Sequence, residues 1–288
     1  MDRFAEKQAQ IDQHREQICV YYPALWSRMS AEWNSPGPED RAWLMYSANY
    51  LFRTNNVRWA IDPLTLNWML KTAPRVNSVR DLSDLSFVLL THSHKDHLDT
   101  GLLSELRHLP VRWIVPEFLL PLVTEKPALP RENIIVVSPL EPIEISGIRI
   151  LPFDGLHWES GPDGTRRGVP AVGYLIECNG KRWLFPGDTR CYDATQLPEF
   201  GKVDVVFAHL WLGRGCALME EPPLLDTFCK FCLDLKPQSI ALTHLHEFGR
   251  AAHDYWDETH VQSVCSKLRQ MSVNLPVAHL IMGNSVLL

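Results

Sequence analysis

The feature that most constrains this chain is a cluster of three histidines and one aspartate that directly follows an apolar run. The run, residues 87–90, has the composition of a buried strand and stops abruptly at polar residues. His92 and His94 stand two residues apart, so an extended backbone would point both imidazoles to the same side. Asp96 and His97 follow where the chain turns, and they can reach a second point in space. The spacing predicts one loop that holds two metal ions, as in two-metal hydrolytic sites.

Two motifs have simpler structural interpretations. The histidine loop could be a polar connection that only caps the next helix, and capping by Asp99 or Thr100 is expected in either case. Capping does not account for three histidines. Cys229 and Cys232 form a Cys-x-x-Cys pair that could bind zinc or serve redox chemistry. The surrounding residues predict a helix and no second pair accompanies them, so buried helix cysteines are favoured.

Composition sets the class of protein. The 288 residues are 45% hydrophobic and 22% charged, which is ordinary for a globular chain of one large or two small domains. A net charge of -6 and a pI near 6.0 argue against a nucleic-acid surface, which needs a basic face. The polar start and the lack of about 18 consecutive apolar residues predict neither a signal peptide nor a membrane span. Seven cysteines in a chain of this length predict reduced thiols and a cytoplasmic location.

Local patterns predict most of the elements. Residues 1–34 have partly helical spacing, with an interruption at Pro23, and residues 35–38 form a linker. This N-terminal helix could pack on the main body, cover the site or form a dimer contact. The remaining expectations are one strand over residues 44–53 that turns back through residues 54–56, a polar loop over residues 159–170, a hairpin around residues 179–180, a strand over residues 239–247, and exposed helix positions for His253 and His260.

Two motifs together resemble the metallo-β-lactamase superfamily. One is His92-x-His94-x-Asp96-His97, and the other is the Gly-Asp-Thr motif that contains Asp188. The resemblance implies an α+β fold, namely an αββα sandwich of two mixed sheets with outer helices. It covers residues 39–288, so residues 1–38 are expected to be a helical extension and linker.

The resemblance also implies a set of ligands for two divalent metal ions. His92, His94 and His157 are expected to hold one ion. Asp96, His97 and His244 are expected to hold the other, with Asp188 bridging both. His209 and His246 remain alternatives to His244, because all three can end a strand beside the site. Zinc is the expected metal, with manganese and iron as alternatives.

The expected activity is hydrolysis of an ester, lactone or phosphodiester by a metal-activated water. Asp96 and Asp188 are the expected catalytic residues, and Asp62 is expected to support a ligand or form a turn. Alternatives are a mononuclear iron enzyme similar to thiol dioxygenases, a nuclease of the RNA-processing type, and a non-enzymatic relative. Retention of every expected ligand argues against the last of these.

The expected substrate is a small anionic molecule. His157 followed by Trp158 resembles the branch that includes ascorbate-6-phosphate lactonase and N-acyl-phosphatidylethanolamine phospholipase D. Arginines can bind carboxylate or phosphate groups, although adjacent arginines often mark only a solvated loop. The substrate-binding residues are therefore expected to be Trp158, Arg166, Arg167 and Arg214, with Arg190 adding to the positive charge. Neither nucleic acid nor a membrane is an expected partner, and a homo-oligomer is possible.

Overall fold

The apolar runs of the chain form two stacked sheets in the computed structural model, which describes residues 2–161, 163–271 and 275–288. The strands are β1 Arg41–Leu44, β2 Tyr50–Thr54, β3 Val57–Ile61, β4 Phe87–Leu89, β5 Arg112–Pro116, β6 Ile134–Val137, β7 Ile143–Ile145, β8 Ile148–Asp154, β9 Trp158–Ser160, β10 Arg166–Gly168, β11 Val172–Cys178, β12 Lys181–Phe185, β13 Val203–His209, β14 Pro237–Thr243, β15 Val277–His279 and β16 Ser285–Leu287. The α-helices are α1 Arg3–Asn34, α2 Ser78–Asp81, α3 Thr100–Leu106, α4 Leu120–Glu125, α5 Leu225–Asp234 and α6 Glu258–Met271.

The two large sheets have matching topologies. The first has the order β16-β1-β2-β3-β4-β5-β6, and the second has the order β15-β14-β13-β12-β11-β8-β7. In each sheet one half is antiparallel and the other is parallel, with the change at β3 in the first sheet and at β12 in the second. The expected fold of two mixed sheets with outer helices is confirmed.

Three apolar layers hold the sandwich together. The central layer lies between the sheets and is rich in aromatic rings; Phe52 stacks on Trp59 with 3.9 Å between centroids, and Phe185 stacks on Phe207 at 4.3 Å. A second layer joins the first sheet to α1 and α3, and a third joins the second sheet to α5 and α6. Buried aromatic area of this size is a major stabilising term.

Helix α1 runs without interruption from Arg3 to Asn34, so the predicted break at Pro23 is wrong. A proline inside a helix removes one backbone hydrogen bond and costs about 3 kcal/mol. The helix is kept because Tyr22, Trp26 and Met29 all bury their side chains against the body of the protein. Each fully buried side chain of this kind contributes about 1.5–3 kcal/mol, which outweighs the local cost. The helix thus packs on the body; a domain division after residue 38 stays a prediction.

Three other expectations about the chain path are corrected. Residues 44–53 form two strands rather than one, because residues 45–49 leave the sheet in a turn. The expected loop over residues 159–170 contains the hairpin of β9 and β10. The last long strand ends at Thr243, before the histidines that follow it. The turns at Asn55-Asn56 and Asn179-Gly180 are as predicted, and all four residues have the positive φ that tight hairpin turns require.

Two histidines and two cysteines outside the candidate site differ in their exposure to solvent. His253 is half exposed in a 3-10 turn, but His260 on α6 is buried, which corrects the expected exposure. His260 is buried because Asp257 contacts its Nδ1 at 2.9 Å and the Ala217 carbonyl contacts its Nε2 at 2.8 Å. Cys229 and Cys232 are buried thiols on α5, as expected, and burial raises the pKa of both. None of the helices in the described residues has the length and apolar character needed to cross a bilayer.

Candidate metal centre

The candidate metal centre is assembled from loops at the strand ends of both sheets. In the first sheet, β3 leads into Asp62 and β4 leads into His92. In the second sheet, the loops after β8, β12 and β14 carry His157, Asp188 and His244. Parallel neighbours end at the same edge of a sheet, so residues far apart in the chain meet there.

The histidine loop has the two-part geometry expected from its spacing. His92 is still extended and forms a β-bridge with Ala171. The chain then turns, since the backbone N–H groups of His97 and Leu98 both donate to the His94 carbonyl, at 3.0 and 2.7 Å. This turn directs His97 back toward His92, with 4.2 Å between the ring centroids. Asp99 accepts from the first N–H groups of α3, so the expected cap is confirmed.

The structure brings all seven expected ligands together in two overlapping groups. One group contains His92, His94, His157 and Asp188, and the other contains Asp96, His97, Asp188 and His244. Within each group the candidate donor atoms lie within 4.8 Å of one another. Asp188 belongs to both groups, as a bridging carboxylate would. The assignment of these residues as ligands stays a prediction.

The contacts of three histidines separate the alternatives for the last ligand. His209 contacts Asp188 Oδ1 through Nδ1 at 2.8 Å and the Tyr50 hydroxyl through Nε2 at 3.0 Å. His246 is likewise engaged at both nitrogens, by Tyr255 and Glu258. His244 directs Nε2 into the cluster, 3.4 Å from Asp96 Oδ2 and 3.6 Å from Asp188 Oδ2. The geometry therefore favours His244.

Buried carboxylates dominate the charge of the cluster, and a metal ion bound to His97 would replace the proton that they favour on it. Burial, together with the neighbouring imidazoles, lowers the pKa of His92 well below its usual value and that of His94 to about 4. Burial opposes ionisation of Asp188, but His244 and His97 hold its pKa well below the usual range. Burial also lowers the pKa of His97, but the charge of Asp188 outweighs it and the net shift is upward. The carboxylates thus create a negative field that attracts cations.

Within the part of the chain that the structure describes, several buried nitrogen atoms of the cluster have no hydrogen-bond partner, which shows whether the site could accept a metal ion. Among the described residues, the buried Nε2 atoms of His92, His97 and His157 have no hydrogen-bond partner. Buried polar atoms without partners are costly, and their convergence on one point needs an explanation. A divalent metal supplies one, because neutral imidazole and carboxylate are ligands of zinc, manganese and iron. The residues present fit such ions.

Asp62 supports the cluster from behind. Its carboxylate accepts from the Thr91 N–H at 2.8 Å and contacts His97 Nδ1 at 2.8 Å, which fixes the orientation of that imidazole. The role expected for Asp62 is consistent with these contacts. Carboxylates behind a ligating histidine commonly set its tautomer and its basicity.

Two further supporting residues escaped the sequence analysis. The turn at residues 45–49 lets Asn49 Nδ2 donate to the carbonyls of Asp62 and Asp96, both at 2.7 Å. The carbonyl of Ser47 in the same turn accepts from the His244 N–H at 2.7 Å. The sequence did contain a signal for this turn. Ser-Ala-Asn interrupts an apolar run, and residues such as asparagine are depleted in strands.

Replacing Asp62 with asparagine is expected to weaken metal binding by about 10- to 100-fold, because the amide is uncharged and orients His97 less strongly. Competition against a chromophoric chelator would measure the change. Asp84→Asn is the matched control. This carboxylate is 61% exposed, and its contact with Arg58, at 3.8 Å, is too long for a hydrogen bond. Equal metal affinity in the Asp62→Asn variant and the wild type would show that Asp62 does not tune the site.

A small cavity adjoins the cluster, and its two arginines are Arg190, which was expected to add positive charge, and Arg250, which was not expected. The described lining residues are Asp188, Thr189, Arg190, His209, Trp211, His244 and Arg250. The expected substrate-binding residues lie outside this set. The guanidinium of Arg166 stacks on Trp158 at 3.7 Å, Arg167 pairs with Asp163 at 3.8 Å, and Arg214 donates to Glu159 at 3.1 Å. Arg250 was not predicted as a cavity residue, because no motif in the neighbouring sequence distinguishes it from an ordinary surface arginine.

The sequence of the chain matches a known family. The family described as "Beta-lactamase superfamily domain" matches residues 58–245. A UPF0173 metal-dependent hydrolase of Cupriavidus taiwanensis is 32% identical over 189 residues, which is 59% of this chain and 63% of the relative. A second relative, from Cupriavidus metallidurans, is 27% identical and 60% covered. The chain thus spans less than two thirds of the length of these curated relatives.

Solved structures share the fold at low identity. Igni18, a metallo hydrolase from Ignicoccus hospitalis, superimposes with a TM-score of 0.61 at 19% identity, covering 86% of this chain and 98% of that one. CmlA, a diiron β-hydroxylase from Streptomyces venezuelae, gives a TM-score of 0.62 at 19% identity, covering 88% of this chain and 55% of that one. At this level of identity the likeness concerns the fold alone.

Proposed function

Because the chain belongs to the metallo-β-lactamase superfamily, we propose that it is a metal-dependent hydrolase with a binuclear site. Both curated relatives carry the description metal-dependent hydrolase. The observation that carries the proposal is the pair of overlapping donor groups that share Asp188. A mononuclear site would need only one of these groups, and the second would then be a buried cluster without a purpose.

Each ligand has a defined place in this proposal. His92, His94 and His157 would hold one ion, Asp96, His97 and His244 would hold the other, and Asp188 would be shared by both. The bound ions would supply Lewis acidity and would lower the pKa of a bound water to near 7. Asp188 would contribute its charge to both ions, because it belongs to both donor groups. Asp96 places a carboxylate oxygen beside the shared centre, where it can accept a proton from the attacking water.

The proposed substrate is a small anionic ester, lactone or phosphodiester. The resemblance of His157-Trp158 to the branch of ascorbate-6-phosphate lactonase and N-acyl-phosphatidylethanolamine phospholipase D supports it. Trp158, Arg166 and Arg167 belong to the hairpin of β9 and β10, and Arg214 donates to Glu159 on that hairpin. These four residues would contact parts of the substrate that extend beyond the cavity. Zinc is the proposed metal, in keeping with a site of imidazole and carboxylate ligands. A cytoplasmic location and a homo-oligomer stay predictions.

Metal content per chain is the first test. Elemental mass spectrometry of protein purified without added metal should find about two divalent ions per chain. A chelator should abolish hydrolysis of lactone and phosphodiester probes, and added zinc or manganese should restore it. One iron per chain with oxygen uptake would instead favour the oxidative alternative. Cleavage of RNA alone would favour the nuclease.

A further inference from the structure

Of the two arginines that line the cavity, Arg190 has the weaker direct contact with a carboxylate. Its side chain is only 13% exposed, and its closest carboxylate oxygen, Glu159 Oε1, is 3.9 Å from Nη1. Across residues 2–161, 163–271 and 275–288, the guanidinium of Arg190 donates no hydrogen bond to another residue of the protein. Glu159 is already bound by Arg214. A guanidinium has five N–H donors, so most of the binding capacity of Arg190 is available.

The second arginine of the cavity is engaged differently. Arg250 Nε donates to Glu247 Oε2 at 2.7 Å, so its charge is compensated by a near neighbour. Its side chain is also more open to solvent, at 34% exposure. Of the two cavity arginines, Arg190 is therefore the better placed to accept an anion from outside the protein.

Arg190 is also held in position. Its backbone N–H donates to the Leu156 carbonyl at 2.9 Å, directly before His157. Its guanidinium lies 5.4 Å from the centroid of Trp211, and the Trp211 carbonyl accepts from the Tyr192 hydroxyl at 2.6 Å. An arginine fixed by its backbone and by an aromatic ring loses less entropy when it binds a ligand.

We propose that Arg190 binds a carboxylate or phosphate group of the substrate and so selects substrates that carry an anion next to the scissile bond. This inference rests on the proposed hydrolase function. Arg190 stands two residues after Asp188 and lines the same cavity, so an oxyanion on its guanidinium would lie beside the metal centre. The planar guanidinium matches such oxyanions with two parallel hydrogen bonds.

A pair of esters tests the selection. Mono-4-nitrophenyl succinate and 4-nitrophenyl acetate share a leaving group, but only the first carries a carboxylate. Arg190→Gln should lower kcat/KM for the succinate ester by about 10- to 100-fold, as expected for loss of a charge-assisted hydrogen bond. The acetate ester should change by less than about threefold. Arg149→Gln is the matched control, because this arginine is 55% exposed on β8 and pairs with Glu177.

Calorimetric titration provides a readout that does not depend on turnover. Succinate and inorganic phosphate are titrated separately into three metal-loaded proteins, namely the wild type, Arg190→Gln and Arg190→Lys. The two affinities of each protein show whether it prefers a carboxylate or a phosphate. Arg190→Gln should weaken the binding of the preferred anion by about tenfold or more. Arg190→Lys should weaken it by less, because lysine keeps the positive charge but cannot donate two parallel hydrogen bonds. If the glutamine variant does not fold, the lysine variant should still bind more weakly than the wild type.

The outcomes separate this inference from the proposed function. Anion binding that depends on Arg190, without hydrolysis of any probe, would support the anion site and contradict the hydrolase. Hydrolysis with unchanged anion affinity in the Arg190 variants, or with equal losses on both esters, would support the hydrolase and overturn the role of Arg190.

Discussion

Asp188→Asn should lower the metal content below one ion per chain and reduce kcat/KM by about 1000-fold or more, which corresponds to about 4 kcal/mol of transition-state stabilisation. The carboxylate is 6% exposed and is shared by both donor groups. Asparagine has nearly the same size, but it lacks the charge that draws two cations to one point. Both ions should therefore be lost together rather than one at a time. Elemental mass spectrometry and steady-state kinetics on the same preparation would measure both effects.

The control for this variant is Asp154→Asn, the same change at an exposed carboxylate at the end of β8. It should keep the wild-type metal content and rate. Asparagine at position 188 can still contact His209, so the metal-free variant should melt close to the metal-free wild type. Two ions and full activity in Asp188→Asn would overturn the bridging assignment.

Trp33→Ala should destabilise the protein by about 3–5 kcal/mol, although it lies far from the metal centre in the chain. The Trp33 side chain is fully buried at the end of α1, and its Nε1 donates to the Phe52 carbonyl at 2.9 Å. The change leaves a large cavity and an unsatisfied carbonyl against the first sheet. Denaturant unfolding monitored by circular dichroism would measure the free energy of unfolding.

Tyr21→Ala is the control on the same helix, because this side chain is 65% exposed. It should change the stability by less than about 0.5 kcal/mol. A loss of similarly small size in Trp33→Ala would mean that α1 is an appendage rather than part of the core. The expected contrast would instead make α1 an integral layer of the sandwich.

The geometry of the histidine loop could be predicted from the sequence because it is local. The two-residue spacing of His92 and His94 and the turn before His97 depend on a few backbone angles, and neighbouring residues determine these. Asp188 and His157 were predicted as ligands from their place in a family pattern. The choice among His209, His244 and His246 needed the structure, since each follows or ends a strand and only their hydrogen-bond partners distinguish them.

The errors arose where tertiary contacts outweigh local preference. Pro23 disfavours a helix locally, but the buried face of α1 maintains it. The residues on both sides of 45–49 have a strand-like composition, yet residues 45–49 form a turn. The turn lets Asn49 donate to the carbonyl of Asp96 in the histidine loop. Arg250 approaches Asp188 only through the folding of distant loops. No spacing rule connects positions 62 residues apart in different loops.

The contacts of α1 have a consequence for the order of folding. Lys7 pairs with Asp257, Gln8 contacts Ala252 and His14 contacts Tyr255, at separations of 241 to 250 residues. Strand β1 likewise pairs with β16. Such long-range contacts must overcome a large loop-closure entropy and make folding slow. A nascent chain therefore cannot form these contacts of α1 until residues 252–257 have left the ribosome, so part of a helix made early must wait for a partner made much later.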